Sequence, residues 1–243
     1  MTSLVKNDKG VYLVRSPASG VTIGVAAKSS GAADYAADSD GIRKREKDLL
    51  FNITGVERKN ILMLDQRHED TLLVIEEPPR RERLVWGDAD GFITRIPGVC
   101  LVIRTADCVP VFAYDRERRV LGAAHSGWRG TRLGIARTLV RSMGSQFGSE
   151  HRNTLIYILP SIGPESYTVG SDVADLFPGD ISENQGMLYL DLWRSIERSL
   201  LEEGIPAANI FNPRICSLKN RNEFFSYRDG DTGRNLNFGF MQP

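Results

Sequence analysis

Three side chains that bind transition metals well lie at wide intervals along a chain that is poor in histidine. The 243 residues include three histidines and three cysteines. His68 and His125 lie in segments rich in turn residues, and Cys108 lies between them in the stretch TADCVPV. Zinc takes imidazole nitrogen and thiolate sulfur readily, and a catalytic zinc keeps a fourth position open. The three side chains are therefore candidate metal ligands; two surface histidines and one buried thiol are the alternative.

A second candidate site follows the last of these residues. In the stretch SGWRGT, two glycines bracket Trp128 and Arg129, and we expect a helix to begin at Thr131. The free N–H groups at a helix N-terminus favour a phosphate or carboxylate, and a guanidinium adds charge-assisted hydrogen bonds. Arg129 is thus a candidate anion-binding residue, and a tight turn with a packed tryptophan and a surface arginine is the alternative.

The composition limits the class of protein. Lys plus Arg equals Asp plus Glu at 31 each, so the net charge is zero and argues against nucleic-acid binding through bulk charge. No apolar run reaches the length of a membrane span, and the first residues lack the apolar core of a signal peptide. An odd number of cysteines without a framework spacing suits a reducing compartment, so we expect a cytoplasmic protein.

The elements that must position these residues follow from hydrophobic periodicity. Strands are predicted at residues 11–15, 21–26, 60–64, 71–75, 99–103, 109–114, 120–124 and 154–159. Helices are predicted over about 41–53, from Thr131 to about 147, and after Asp191. No linker divides the chain, so we expect one α+β domain over residues 1–243, with mixed sheets and helices outside.

Several ordered motifs together resemble one known family. They are Asp65 to His68, Asp88 to Phe92, Pro97 to Val99, TADCVP, AAHSGWRGT, Pro160 to Pro164, and Cys216 with FFSYR and TGR. In this combination the chain resembles the YfiH-like laccase-domain family. Members of that family are labelled either multicopper polyphenol oxidases or purine nucleoside phosphorylases.

The resemblance implies a fold, a metal and an activity. The fold is an α+β sandwich with mixed sheets, and the metal is zinc, with copper possible, bound by His68, Cys108 and His125. The activity is phosphorolysis of adenosine, inosine, guanosine and methylthioadenosine, with adenosine deamination at the same site. We therefore expect purine nucleosides and phosphate as the small-molecule partners, no nucleic acid or membrane, and a monomer or homodimer.

Individual residues receive roles within this expectation. Asp107 and Arg129 are predicted to be catalytic. Asp107, beside Cys108, is a candidate for proton transfer, and Glu69 is another candidate for that step. The alternative for Asp107 is a role in the turn or in orienting the ligand. Lys28, Arg129 and Arg228 are predicted to bind substrate; Arg228 in a structural ion pair is the alternative. Trp128 and Tyr227 are candidates for stacking on a base.

The sequence departs from the family pattern at a few positions. Lys28 stands where the family has an arginine, and an ammonium lacks the bidentate fork of a guanidinium. Glu69, Glu165 and Ser166 also replace residues common in the family. These changes affect the expected substrate preference more than the metal site.

Two other functions remain open. A multicopper oxidase needs a blue-copper site and a separate copper cluster with many more imidazoles, and three histidines cannot supply both. A copper-dependent polyphenol oxidase is therefore the second choice. The last alternative is a metal-binding regulatory module with weak catalysis.

Overall fold

The computed structural model describes residues 2–15, 18, 20–32 and 39–242. Its strands are β1 (Ser3–Lys6), β2 (Tyr12–Arg15), β3 (Val21–Ala26), β4 (Ile61–Leu62), β5 (Leu72–Ile75), β6 (Gly91–Thr94), β7 (Cys100–Thr105), β8 (Val109–Asp115), β9 (Val120–Ser126), β10 (Thr154–Ile158), β11 (Thr168–Val169), β12 (Ile181–Asn184), β13 (Met187–Leu190), β14 (Ile210–Phe211) and β15 (Asn235–Met241). Its α-helices are α1 (Ser39–Thr54), α2 (Trp128–Leu133), α3 (Ile135–Phe147), α4 (Ser171–Ala174) and α5 (Leu192–Glu202).

Most of these strands form two six-stranded mixed sheets. The first sheet has the order β1-β2-β3-β15-β7-β4, and the second has the order β14-β10-β8-β9-β6-β5. Most neighbours are antiparallel, but β4 with β7, β5 with β6 and β10 with β14 are parallel. A small third sheet has the order β11-β13-β12.

The two large sheets pack face to face, as the alternation of side chains in β7 shows. Leu101 and Ile103 belong to the core between the sheets, together with Phe112 of the second sheet. Cys100 and Val102 belong to a separate core on the outer face of the first sheet, which α1 covers. Helices α3 and α5 cover the outer face of the second sheet. The predicted α+β sandwich with mixed sheets and outer helices is confirmed.

The eight predicted strands are all present, but one predicted helix begins in the wrong place. Gly127 has extended backbone and caps α2, which therefore begins at Trp128 rather than at Thr131. Gly134, with φ of +84°, ends α2 after six residues and precedes α3. None of the helices in the described ranges has an apolar stretch long enough to cross a membrane.

Candidate metal centre and its cavity

Strand pairing in the second sheet brings distant parts of the chain to one end of that sheet. Cys108 immediately precedes β8, and His125 lies near the end of the neighbouring β9, opposite Pro110. Strand β6 begins directly after Asp90 and pairs with β9. Strand β5 runs parallel to β6 and follows the turn that carries His68. The sheet therefore gathers residues that are up to 57 positions apart in sequence.

The three predicted metal ligands meet at this end of the sheet. One donor atom from each of His68, Cys108 and His125 lies within 4.8 Å of the donors of the other two. The two imidazole rings meet edge to face, with centroids 4.7 Å apart. His125 is buried, Cys108 is partly buried and His68 is exposed. A metal bound here would therefore be anchored on the protein side and accessible on the other.

Asp90 organises this cluster, although no role was predicted for it from the sequence. Its Oδ1 lies 2.8 Å from His125 Nδ1 and accepts the backbone N–H of His68 at 2.9 Å. Its Oδ2 accepts the backbone N–H groups of Arg67 and Glu69. A carboxylate on Nδ1 fixes that nitrogen as the donor and leaves Nε2 for a metal. In the sequence, the feature that could have pointed to Asp90 was its place directly before a buried strand, at the sheet end that also holds the candidate ligands.

The same contacts hold the backbone of His68 in an unusual conformation. His68 has φ of +64°, in the left-handed region that non-glycine residues rarely adopt. The three backbone amides that donate to Asp90 belong to consecutive residues of this turn, so the carboxylate holds the turn in its conformation. Strained backbone that its surroundings enforce is a feature of functional sites.

The electrostatics of the cluster favour the thiolate form of Cys108. Burial alone would raise the pKa of the Cys108 thiol, but the charge of His125 and hydrogen bonds from His125 and His68 lower that pKa to about 6. Burial would lower the pKa of His125, but Cys108 and Asp90 raise it to about 9. For Asp90, burial acts to raise the pKa, and the hydrogen bonds from His125 and backbone amides lower it overall. Thiolate is the form of cysteine that binds metals.

Two glycines provide the space that the cluster needs. A Cβ atom at Gly127 would lie 3.0 Å from Cys108 Sγ and 3.2 Å from an atom of the His68 ring. A Cβ atom at Gly130 would lie 3.1 Å from the carbonyl oxygen of Glu69. The glycines of SGWRGT therefore allow the helix to approach the metal ligands closely.

The helix that was predicted to begin at Thr131 includes Trp128 and Arg129. Trp128 and Arg129 form the first turn of α2 itself, because the helix begins three residues earlier than expected. The Arg129 side chain is exposed, and its guanidinium lies 4.7 Å from the centroid of the Trp128 ring. An anion bound at the start of α2 would therefore contact the exposed side chain of Arg129 rather than a glycine-rich turn.

The candidate ligands open into a cavity of about 540 Å³. Its lining is rich in aromatic and cationic side chains, including Trp128, Tyr167, Tyr227, Arg43, Arg104, Arg129, Arg228 and Arg234. Tyr227 is 70% exposed, so its ring stands at the cavity rather than in the core. A volume of this size suits a small organic molecule with aromatic and anionic parts.

Asp107 and Arg228, two of the predicted site residues, both line the cavity and are linked to each other. Asp107 Oδ1 accepts the hydroxyl of Ser217 at 2.6 Å, and Oδ2 accepts the backbone N–H of Arg228 at 2.9 Å. Asp107 also has a left-handed backbone, with φ of +85°. The Arg228 guanidinium donates to the hydroxyl and carbonyl of Thr168 and lies 5.0 Å from the Tyr167 ring.

Lys28, by contrast, is outside the lining of this cavity. Its ammonium donates to Asp231 at 2.7 Å and to the backbone carbonyl of Arg221 at 2.9 Å. It also lies 5.2 Å from the centroid of the Phe225 ring. These contacts tie Lys28 to the C-terminal segment.

The remaining positions singled out from the sequence have local contacts. Glu69 is exposed, and Glu165 forms an ion pair with Lys219. Cys216 is buried, where its sulfur accepts the backbone N–H of Gly163 and contacts the Ser166 hydroxyl at 3.4 Å. These contacts place Cys216 in a structural role, apart from the cluster of candidate metal ligands.

The donor set can therefore be compared with the metals that the family implies. Two imidazoles and a thiolate suit zinc, and copper(II) binds such nitrogen and sulfur sites at least as strongly. The lowered pKa of Cys108 and the carboxylate on His125 both fit a resident metal ion. Three protein donors leave a position open to the cavity, as in catalytic zinc sites.

Comparisons with known proteins identify the family that this chain matches. Residues 18–242 match the model of the family described as multi-copper polyphenol oxidoreductase laccase. A purine nucleoside phosphorylase of Bacteroides thetaiotaomicron is 33% identical over 206 residues, which cover 79% of this chain and 76% of that protein. Adenosine deaminase RL5, from an unknown prokaryotic organism, is 30% identical over 210 residues, 80% of this chain and 79% of that protein.

A solved structure shows the same fold along nearly the whole chain. The crystal structure of the hypothetical protein YfiH of Bacillus licheniformis superposes with a TM-score of 0.88 at 26% identity. The superposition covers 98% of this chain and 99% of the other.

Proposed function

The chain belongs to the family described as multi-copper polyphenol oxidoreductase laccase, and from that premise we propose that it is a zinc-dependent purine nucleoside phosphorylase with adenosine deaminase activity. The observation that carries the proposal is the cluster of His68, Cys108 and His125 at a cavity with aromatic and cationic walls. The phosphorylase and deaminase names of its relatives support the choice of substrates. We further propose that the protein acts in the cytoplasm.

In phosphorolysis, a phosphate oxygen bonds to the ribose C1′ while the bond from C1′ to the purine nitrogen breaks. The departing purine keeps the electron pair and must be stabilised as negative charge develops on it. Arg129 and Arg228 are proposed to hold the phosphate, because both line the cavity and both are cations throughout the physiological range. The rings of Trp128, Tyr167 and Tyr227 offer surfaces on which a purine can stack.

His68, Cys108 and His125 would hold the metal, which supplies Lewis acidity at the reacting group when bound. Asp90 orients His125 and the His68 turn, so we propose that it acts as a positioning residue. In deamination, water replaces the amino group at C6 of the purine, and protons must move between water and the leaving ammonia. Asp107 is the proposed proton-transfer residue, with an orienting role through Ser217 and Arg228 as the alternative.

The test is turnover by purified protein of measured metal content. We expect zinc-loaded protein with adenosine and phosphate to form adenine and ribose 1-phosphate by phosphorolysis and inosine by deamination. Phosphorolysis of that inosine then gives hypoxanthine, and chromatography separates the four products. Cys108→Ala, which removes one candidate ligand, is the matched control. Absence of all these products from zinc-loaded protein would contradict the proposal.

The description of the family favours a second candidate, a copper-dependent polyphenol oxidase. The same preparation, loaded with copper instead of zinc, can be offered a phenol while oxygen consumption is recorded. We expect no substantial oxygen consumption from zinc-loaded, copper-free protein. Oxygen consumption by the copper-loaded form, without nucleoside turnover by the zinc-loaded form, would favour the oxidase.

A further inference from the structure

A second group of cations lies in the same cavity, apart from the residues used above. Arg43 in α1, Arg104 in β7 and Arg234 just before β15 all line it, and we call them the Arg43 cluster. They come from the layer of the first sheet and its covering helix, whereas the candidate metal ligands lie on the second sheet. The cavity therefore has cationic walls contributed by both sheets.

The carboxylates near Arg43 form ion pairs with cations other than Arg43. Arg104 donates through Nε and Nη2 to Glu46 Oε1, at 3.0 and 2.8 Å. Asp65 forms an ion pair with Arg67 at 2.8 Å. Arg43 Nη1 is buried and has no hydrogen-bond partner among the described residues. A buried donor of a charged group without a partner is costly, because it has lost its water.

The electrostatic surroundings of Arg43 indicate an excess of positive charge. Burial, and then the charge of Arg104, lower the pKa of Arg43 to about 10. Arg234 acts in the same direction, and Glu46 and Asp65 offset only part of the effect. A cation that is both buried and repelled by its neighbours is stabilised when an anion binds between them.

The Arg43 cluster is electrostatically distinct from the cations beside the metal centre. The charges that act on Arg43 are those of Arg104, Glu46, Asp65 and Arg234. The charges that act on Tyr167 at the other wall are those of Cys108, Arg228, Asp107 and Arg129. Arg43 and Tyr167 therefore have different charged neighbours within the one cavity.

We propose that Arg43, Arg104 and Arg234 form a second anion subsite that binds a phosphoryl group. Guanidinium groups from α1, from β7 and from the residue before β15 suit a tetrahedral phosphoryl group, because each of its oxygens can accept two N–H donors. The phosphoryl group has two sources: free phosphate, or the 5′-phosphate of a purine nucleotide whose base reaches the aromatic wall. Only the nucleotide source rests on the proposed function, because it assumes that the cavity takes a purine nucleoside.

The test is equilibrium binding without turnover. Calorimetric titrations with inorganic phosphate and, separately, with adenosine 5′-monophosphate are made on the wild type, Arg43→Met and Lys44→Met. Lys44 is exposed on the same helix and is not part of the cavity lining, so its variant removes an equal charge away from the site. We expect Arg43→Met to weaken binding roughly ten- to a hundredfold, and Lys44→Met to change it little.

The titration in which Arg43→Met weakens binding identifies the source of the phosphoryl group. Weaker binding of the nucleotide alone identifies a 5′-phosphate subsite, and weaker binding of free phosphate alone identifies a subsite for inorganic phosphate. A loss in both titrations also supports a phosphoryl subsite. Unchanged binding in both, or an equal loss in Lys44→Met, would overturn the proposal.

A melting measurement separates binding from a purely structural role. Because Arg43 is a partly buried cation whose buried Nη1 has no partner, we expect ligand-free Arg43→Met to keep or raise the melting temperature, and to lose the rise that phosphate or nucleotide produces in the wild type. A lower melting temperature with unchanged ligand stabilisation would overturn the proposal. If binding depends on Arg43 but the protein shows no nucleoside turnover, the result contradicts the proposed function and still supports the anion subsite.

Discussion

The Oδ1 atom of Asp90 lies 2.8 Å from His125 Nδ1 and so fixes the ring of one candidate metal ligand. The same oxygen accepts the backbone N–H of His68, and the whole carboxylate is buried. A single side chain therefore holds both candidate histidine ligands, one through its ring and the other through its backbone.

Asp90→Asn should weaken zinc binding by roughly ten- to a hundredfold, the usual effect of losing a partner that orients a ligand. The amide keeps the size of the side chain but has one oxygen for four donors. A competition titration against a zinc chelator measures the change. Asp88→Asn is the matched control, because Asp88 is exposed and pairs with Arg67. Equal affinities for the two variants would show that the carboxylate does not organise the site.

Cys108→Ala should remove most of the bound zinc, because the thiolate is the one sulfur donor of the cluster. Elemental analysis of protein prepared without added copper measures the metal content. Cys216→Ala is the control, since that buried cysteine lies outside the cluster and should leave the zinc in place. A full zinc complement in Cys108→Ala would refute the ligand assignment.

Arg129→Ala should raise the KM for phosphate by roughly ten- to a hundredfold while leaving the zinc content unchanged. Arg129→Lys should recover part of the loss, because an ammonium lacks the bidentate fork. Deamination uses water instead of phosphate and should fall less. Arg132→Ala, on the same short helix, serves as the control for the loss of one exposed charge. If both activities fell equally in Arg129→Ala, the residue would belong to the scaffold.

Asp107→Asn separates proton transfer from positioning. The amide can still accept the N–H of Arg228 and can donate to the oxygen of Ser217, so the local structure should persist. If Asp107 moves the proton, kcat for deamination should fall by about a hundredfold or more, with little change in KM. Steady-state kinetics with adenosine measure both constants. Unchanged kcat would leave Asp107 with the orienting role alone.

Lys47 predicts a pH effect on stability that is unrelated to the metal. Its ammonium is completely buried and donates to the carbonyl oxygens of Arg58 and Arg83. Burial lowers its pKa, so between that lowered pKa and 10.5 the unfolded chain holds the proton and the folded chain does not. Raising the pH through this window should therefore stabilise the folded protein.

The comparison with Lys47→Met isolates this contribution, because the other groups that titrate at alkaline pH are common to both proteins. Urea unfolding at several pH values should show the free energy of unfolding of the wild type rising relative to that of the variant. Parallel curves would mean that the pKa of Lys47 is the same in both states.

Residue chemistry and periodicity were sufficient to predict an α+β domain with mixed sheets and the group of three candidate ligands, whereas the sandwich followed from the family resemblance. Alternating apolar residues defined the strands, and the scarcity of histidine drew attention to His68 and His125. The start of α2 was predicted wrongly because Gly127 caps the helix without a side-chain hydrogen bond, at a position where Cys108 and His68 leave no room for a side chain. Such contacts join segments that are distant in sequence and leave no local pattern.

The partners of the site were harder to predict for the same reason. Asp90 stands in an ordinary turn sequence, and its four hydrogen bonds exist only after β5, β6 and β9 have paired. The Arg43 cluster draws on positions 43, 104 and 234, whose proximity follows from the packing of α1 on the first sheet. Neither arrangement has a spacing that a reader of the sequence could recognise.

The position of β15 within the first sheet has a consequence for the order of assembly during synthesis. Among the strands of the described residues, β15 alone lies between β3 and β7 and hydrogen-bonds to both of them. A ribosome must therefore finish residues 235–241 before the centre of that sheet can close, and until then β3 and β7 present unpaired edges. Until β15 is made, the nascent chain exposes these two edges to aggregation and to chaperones, and a nonsense mutation just before β15 would leave the wall that carries Arg104 without its neighbouring strand.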